Sequence, residues 1–353
     1  MPFSVDERRS VLDGISVIIP CHNAAQRLPQ TLAHIAAQQV SPELRWEVIL
    51  IDNASTDNTS QVALHAWPAN APAPLRAVLE PRLGANYARE RGFAEAKYEI
   101  ITFVEDDNWI APDWLTLVVE VMDQHPEVGA CGGLNEAVCE INPPDWFERY
   151  AYCYAIGPQG KEPGDITWTR GYLFGAGLTV RKAAWHQLVQ EGFRLRLPDR
   201  QGAQTNTINS GGDAEICSAL RLSGWQLWYE PGLKLRHFLM GHRLNWDYLR
   251  RLNRGFGAKS VGLDPYRLIL HNHPNVLKGR LGRIWITQTL APIVFLFRKF
   301  RKVIQSRSNS LGGDVDVILI EHQLGRLGEL LRQRNNYDQA FYDIWNASWR
   351  KKP

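Results

Sequence analysis

Ile100-Ile101-Thr102-Phe103-Val104-Glu105-Asp106-Asp107-Asn108-Trp109 decides how this chain is read. Its first half is an apolar, β-branched run of the kind that forms a buried strand. The run stops in three consecutive acids, which repel one another, and passes to Ala111-Pro112-Asp113-Trp114, a loop-to-helix start. Carboxylates at the carboxyl end of a strand are well placed to hold a hard divalent cation that also touches a phosphate. An isolated acidic triplet also suits a solvated turn, so the neighbouring sequence has to decide.

Upstream, Ile15-Ser16-Val17-Ile18-Ile19-Pro20 reads as a short buried strand closed by Pro20, and Cys21-His22-Asn23 as a loop. Helical spacing follows from Arg27 to Gln39 through Leu28, Leu32, Ile35 and Ala36. Trp46 to Ile51 is a second strand, ending in the turn- and cap-rich Asp52-Asn53-Ala54-Ser55-Thr56-Asp57-Asn58-Thr59. A weaker strand at Leu75–Leu79 and a helix from Gly84 to Ala96 complete the alternation. This pattern predicts an α/β fold with a largely parallel sheet and ligands at the carboxyl ends of its strands. Pro20–Asn23, Asp52–Asp57 and Glu105–Asn108 then share one rim. A dinucleotide-binding turn is excluded, because Pro20-Cys21-His22-Asn23 has no glycine to let a pyrophosphate approach the backbone.

Downstream, Glu127–Gly133 reads as a strand, Pro143–Tyr154 as an aromatic segment, and Thr169–Val180 as a strand region with a wide glycine turn. Phe193–Ser210 is a polar loop. Gly211-Gly212-Asp213-Ala214-Glu215 opens a helix that stops at Gly224, and strands are expected at Trp225–Pro231 and Leu233–Phe238. At the start of such a helix the amide dipoles favour an ionised Asp213, which is also what a plain helix cap needs.

The 353 residues suffice for one large domain or two smaller ones. A net charge of +3 gives no argument for nucleic acid. Five scattered cysteines form no metal-type cluster and suit a reducing cytoplasm, and Met1–Ser10 has no apolar signal-peptide core.

With these residues placed, the sequence over about residues 14 to 240 resembles the family 2 glycosyltransferases, inverting enzymes of the GT-A fold. The resemblance rests on Ser16–Pro20 with Asn23, Asp52–Asp57, Gly84 with Ala88-Arg89, Glu105–Asp107 and Gly211–Glu215, in that order. It implies a mixed, mostly parallel central sheet flanked by helices. Residues 1–130 would form a nucleotide-sugar-binding half, 131–240 an acceptor-binding half, and 241–353 a basic helical extension. It further implies that Asp52 accepts from the nucleotide base, with Pro20, His22 and Asn23 beside it. Gly84 and Arg89 would lie near the phosphates, and Asp106 nearer the sugar. Asp107 would ligate Mg2+ or Mn2+, with Glu105 and His237 as further candidate ligands, and Asp213 would be the general base. Two departures stand out: Glu105 replaces an aspartate, and Gly212 stands where many relatives carry an acid. Glu215 reads as a secondary contact or a solvated helix residue. The implied donor is a nucleoside-diphosphate sugar, UDP-sugars favoured, and the acceptor a glycan or lipid-linked hydroxyl in polysaccharide assembly. Two other readings stay open: a catalytically silent glycan-binding or scaffold subunit, and a sugar nucleotidyltransferase. The latter would need a glycine- and basic-rich loop after the first strand.

In the last third, Arg243–Lys259 is basic and aromatic. Ile284–Phe297 is an apolar run, too short to span a bilayer, bracketed by Lys278, Arg280, Arg283, Arg298, Lys299, Arg301 and Lys302. It suits either a segment lying peripherally on the anionic inner face of the cell membrane or a buried helix of a bundle. Val317–Leu331 is an amphipathic helix for packing or self-association into a homo-oligomer.

Overall fold

The computed structural model describes residues 14–197, 211–271, 284–305 and 312–351. Residues 198–210 of the Phe193–Ser210 loop, the N-terminal segment Met1–Ser10, and Lys278, Arg280 and Arg283 lie outside the described residues.

Four strands run parallel in the order β3-β2-β1-β4: β1 (Ile15–Cys21), β2 (Trp46–Asn53), β3 (Leu75–Glu80) and β4 (Ile100–Phe103). Helices α1 (Leu28–Ala36), α2 (Thr59–Ala66) and α3 (Ala85–Glu95) connect them. The central strands β1 and β4 are apolar apart from Ser16 and Thr102 because both their faces are covered: Ile15, Val17, Ile18 and Ile19 are fully buried, as are Ile100 and Ile101. Pairing of Cys21 with Asp52 brings the ends of β1 and β2 level, and pairing of Ile18 with Phe103 ends β4 beside them.

Beyond β4 the nine-stranded sheet becomes antiparallel through β8 (Thr179–Arg181), β6 (Val128–Cys139), β9 (Gln226–Leu239) and β5 (Asn108–Ile110), with β7 (Gly164–Asp165) on β9. Two expectations need correction here. The strands expected at Trp225–Pro231 and Leu233–Phe238 are one continuous strand, β9. Of Thr169–Val180, only Thr179 and Val180 lie in a strand. Gly171 and Gly177 adopt left-handed φ of 72° and 77°, which breaks the run into turns. A side chain at Gly177 would also meet the Trp114 ring at 2.7 Å.

The chain forms two compact units, each assembled from separate segments. The first comprises residues to Glu136, Pro158–Gln187 and Trp225–His237; the second comprises Ala137–Gly157, Leu188–Gly224 and Phe238–Pro353. In the second unit α7 (Gly212–Ser223) joins a helical array of α8 (Trp246–Leu270), α9 (Ile284–Arg298), α10 (Phe300–Gln305), α11 (Val315–Arg332) and α12 (Tyr337–Trp345). Helix α11 crosses α8 closely because glycines stand at the contact. A Cβ on Gly257 would lie 1.8 Å from the His322 carbonyl oxygen, and one on Gly325 1.9 Å from that of Arg254. A fully buried carboxylate, Asp264, ties the array together, accepting from Arg326 at 3.1 and 2.7 Å, Arg267 at 2.6 Å and Tyr337 Oη at 2.8 Å. Removing one partner of such a group would strand buried charge.

Candidate active site

The loops after β1 and β2 lock onto each other. Asn23 takes a left-handed φ of 50°, its backbone N–H donates to Ser55 Oγ at 3.0 Å, and its Oδ1 accepts from Thr56 N at 2.8 Å. His22 Nδ1 donates to the Asn53 carbonyl at 2.8 Å, which leaves Nε2 to accept from Asn23 Nδ2 at 3.2 Å. Pro20, facing Ile51 across the sheet, carries the chain into this loop. Asp52 accepts from Ser55 N at 3.0 Å and Ser60 Oγ at 2.5 Å, so its carboxylate is fixed at the strand end while remaining partly accessible. Asp57 binds the amides of Ala25 and Thr59 and the Thr59 hydroxyl. Burial opposes its ionisation, yet those hydrogen bonds hold its carboxyl below the ordinary range.

Buried Asn53 is a residue that sequence reasoning passed over. Its amide donates to the carbonyls of Glu80 and Arg82 at 3.3 and 2.6 Å and accepts from Gly84 N at 2.7 Å. Gly84, at φ 151°, thereby starts α3 at the end of β3. One helical turn on, Arg89 is buried; its Nη2 donates to Glu105 Oε1 at 3.1 Å. Its Nε and Nη1 have no hydrogen-bond partner among the described residues. Buried guanidinium N–H groups without partners are costly, and an anion is what satisfies them.

The three acids have three different surroundings. Glu105 pairs with Arg89. Asp106 pairs with Arg27, a second residue that sequence reasoning passed over, and its backbone carbonyl accepts from Thr31 Oγ1 at 2.9 Å. Burial, and then the charge of Asp107, raise the Asp106 pKa against the pull of Arg27. Asp107 is buried and accepts from Asn108 Nδ2 at 3.0 Å through Oδ1. Antiparallel pairing of β5 with β9 sets Asn108 opposite His237, and His237 Nε2 comes to 3.4 Å from Asp107 Oδ2. Neither ring nitrogen of His237 makes a hydrogen bond among the described residues.

An imidazole nitrogen and a carboxylate oxygen at that separation suit a shared divalent cation, since ligands about 2.1 Å from one small ion sit about 3 Å apart. No three His, Cys, Asp or Glu side chains converge as a complete metal site among the described residues. The pair therefore fits a cation that takes its remaining ligands from phosphate and water.

Residues 16–188, just under half of the chain, match the family model described as glycosyl transferase family 2. That segment belongs to glycosyl transferase family 2. The chain is 31% identical over 115 residues to an uncharacterised glycosyltransferase of Nostoc sp., covering 33% of this chain and 34% of that one. It is 25% identical over 114 residues to the undecaprenyl-phosphate 4-deoxy-4-formamido-L-arabinose transferase of Pseudomonas savastanoi pv. phaseolicola, covering 32% and 34%. These matches span about a third of the length of either relative. A mannosyltransferase from Pyrobaculum calidifontis, solved with GDP-Man and Mn2+, shares the fold at a TM-score of 0.52 and 16% identity, covering 91% of this chain and 86% of that one. The chain thus has the GT-A architecture, a mixed α/β sheet flanked by helices.

In the second unit, Asp213 lies in the first turn of α7, and Lys259 Nζ approaches its Oδ1 at 3.3 Å. Glu215 corrects the sequence reading of a secondary contact or solvated helix residue. It is fully buried and accepts from the amides of Arg196 and Leu197 and from Tyr266 Oη at 2.7 Å. Burial raises its pKa against those donors. Its place one turn into an otherwise polar helix start hid that role; the sequence signal was the absence of any nearby cation to pair it at the surface.

Proposed function

We propose that this chain transfers a glycosyl unit, with inversion, from a nucleoside-diphosphate sugar to a hydroxyl of a glycan or lipid-linked acceptor in polysaccharide assembly. UDP-sugars are the favoured donors, and the setting is the cytoplasmic face of a membrane. The single observation that carries the reading is the buried, partly unpartnered guanidinium of Arg89 on the same strand-end rim as Asp52 and the Asp107–His237 pair. That rim has a place for a base, a diphosphate and a cation.

In this reading Asp52 uses its remaining lone pairs to accept from the nucleotide base, and the His22–Asn23 loop shapes the pocket edge beside it. Arg89 donates Nε–H and Nη1–H to phosphate oxygens. Asp107 and His237 hold Mg2+ or Mn2+, which when bound neutralises charge on the departing diphosphate. Glu105 orients Arg89, and Asp106, tied to Arg27, holds the turn between them. Asp213 takes the proton of the acceptor hydroxyl as its oxygen bonds to the anomeric carbon. The bond from that carbon to the phosphate oxygen breaks, and its electron pair leaves with the nucleoside diphosphate. Lys259 Nζ, 3.3 Å from Asp213 Oδ1, is the cation beside this base. The name of the Pseudomonas relative, an undecaprenyl-phosphate transferase, supports testing lipid-linked acceptors, and that of the Pyrobaculum neighbour puts GDP-mannose in the donor screen.

The test is release of nucleoside diphosphate from a panel of UDP-, GDP- and dTDP-sugars with glycan and lipid-linked acceptors. Turnover that chelation abolishes is expected, and none with any pair would overturn the reading. Release of pyrophosphate instead would mark a sugar nucleotidyltransferase. Absence of both turnover and metal-dependent UDP binding would favour the scaffold reading, for which the Glu105 and Gly212 departures speak.

A further inference from the structure

Helix α9 has two contrasting sides. On one, Trp285 Nε1 donates to the Leu330 carbonyl at 2.7 Å, Gln288 Oε1 accepts from Arg326 at 2.8 Å, and Thr289 and Pro292 are buried. On the other, Ile286, Leu290, Ile293, Val294 and Phe297 stand in water at 50, 54, 45, 46 and 81% exposure. Spacings of four, three and four residues put Ile286, Leu290, Ile293 and Phe297 on one stripe. Ile304 on α10 is also exposed, at 58%. Residues 284–305 contain no acid and four bases, Arg298, Lys299, Arg301 and Lys302. Lys299 and Lys302 pair with Asp314 and Asp316 at the start of α11, which pins α10 to the array. Arg298 and Arg301 are exposed and have no acidic partner among the described residues.

A contiguous apolar stripe ending in unpaired arginines selects its occupant by charge. A second copy of α9 and α10 would bring four more bases and no acid, whereas an anionic lipid surface supplies apolar depth for the stripe and phosphate for the arginines. The helix is about 22 Å long, short of the hydrocarbon thickness it would have to cross. Among the described residues no helix is long and apolar enough to cross a membrane. We infer that α9 lies in the plane of an anionic membrane surface, its Ile286–Phe297 stripe in the acyl boundary and Arg298 and Arg301 at the head groups. This gives residues to the membrane setting proposed above, on which it rests; its test uses no donor or acceptor, so its failure leaves the transfer reading standing.

The experiment is co-sedimentation of the full chain with vesicles of phosphatidylcholine alone or mixed with phosphatidylglycerol, without nucleotide. Partition onto the mixed vesicles only, weakened by salt, is expected. Leu290→Ser with Phe297→Ser, both at exposed positions, should lower partition by about tenfold or more with an unchanged thermal midpoint. Arg298→Glu with Arg301→Glu should lower it about tenfold and erase the lipid preference. Absence of partition, equal partition onto both vesicles, or partition untouched by either double variant would overturn the inference. So would a sedimentation-velocity dimer that Phe297→Ser splits, which would assign the stripe to a second copy of the chain.

Discussion

His237 Nε2 stands 3.4 Å from Asp107 Oδ2, with both side chains nearly sealed from water and neither ring nitrogen of His237 hydrogen-bonded among the described residues. An imidazole and a carboxylate left at that distance, without hydrogen-bond alignment, make no hydrogen bond to each other. A cation between them would turn both into ligands.

Asp107→Asn and His237→Ala should each remove the metal-dependent part of UDP binding, seen in isothermal titration with and without Mn2+. Turnover should fall by roughly two to three orders of magnitude, the scale of several kcal/mol of charge stabilisation. Variants that keep the full response to metal would place the cation elsewhere.

Arg89→Ala should weaken nucleoside-diphosphate binding by about ten- to a hundredfold, the range for hydrogen bonds to a charged group. Arg89→Lys should recover only part of this, because one ammonium cannot reproduce the guanidinium fork that also engages Glu105. Nucleoside binding, lacking the phosphates, should be unaffected by either change. An equal loss for nucleoside and diphosphate would mean that Arg89 acts through the fold of the rim.

Asp213→Asn should leave UDP affinity as it is while kcat drops by about two to four orders of magnitude, the usual contribution of a positioned base. The separation of binding from turnover is the diagnostic result. If kcat survives, Asp213 serves as a helix-start residue held by Lys259.

Glu215 offers a test by pH. Burial raises its pKa in the folded protein, so the native state holds that proton more tightly than the unfolded chain. The carboxyl therefore costs stability progressively as pH rises from its ordinary value of 4.5 toward the higher folded value, with no further change above it. In Glu215→Gln this titration is gone. The stability advantage of the native residue, from urea midpoints, should be largest under acid conditions and shrink toward neutrality. A difference that stays constant with pH would contradict a raised pKa.

The parallel half of the fold was legible because its signals are local. Buried strands at Ile15–Pro20, Trp46–Ile51 and Ile100–Val104, with a turn signal after each, imply a shared rim before any contact is known. The glycine-rich stretch Thr169–Val180 misled for a related reason. Its composition gave the glycine turn but overstated the strand, and only packing around Gly177 and Trp114 leaves no more than Thr179 and Val180 of it in the sheet. Arg27 gave no sign because its partner, Asp106, is distant in the chain, and a surface cation at a helix start looks the same whether or not an acid faces it.

By itself the sequence determined the order of elements and the collection of Asn23, Asp52 and the acidic triplet at strand ends, since periodicity and turn chemistry act between near neighbours. Only the tertiary structure decided which of the three acids faces His237. That choice depends on antiparallel pairing between β5 and β9, a long-range register that no local pattern encodes. It likewise decided that Glu215 is buried and that one side of α9 stays bare. Burial is a property of what the rest of the chain leaves covered, and the apolar spacing of a helix is the same whether its face meets a core or water.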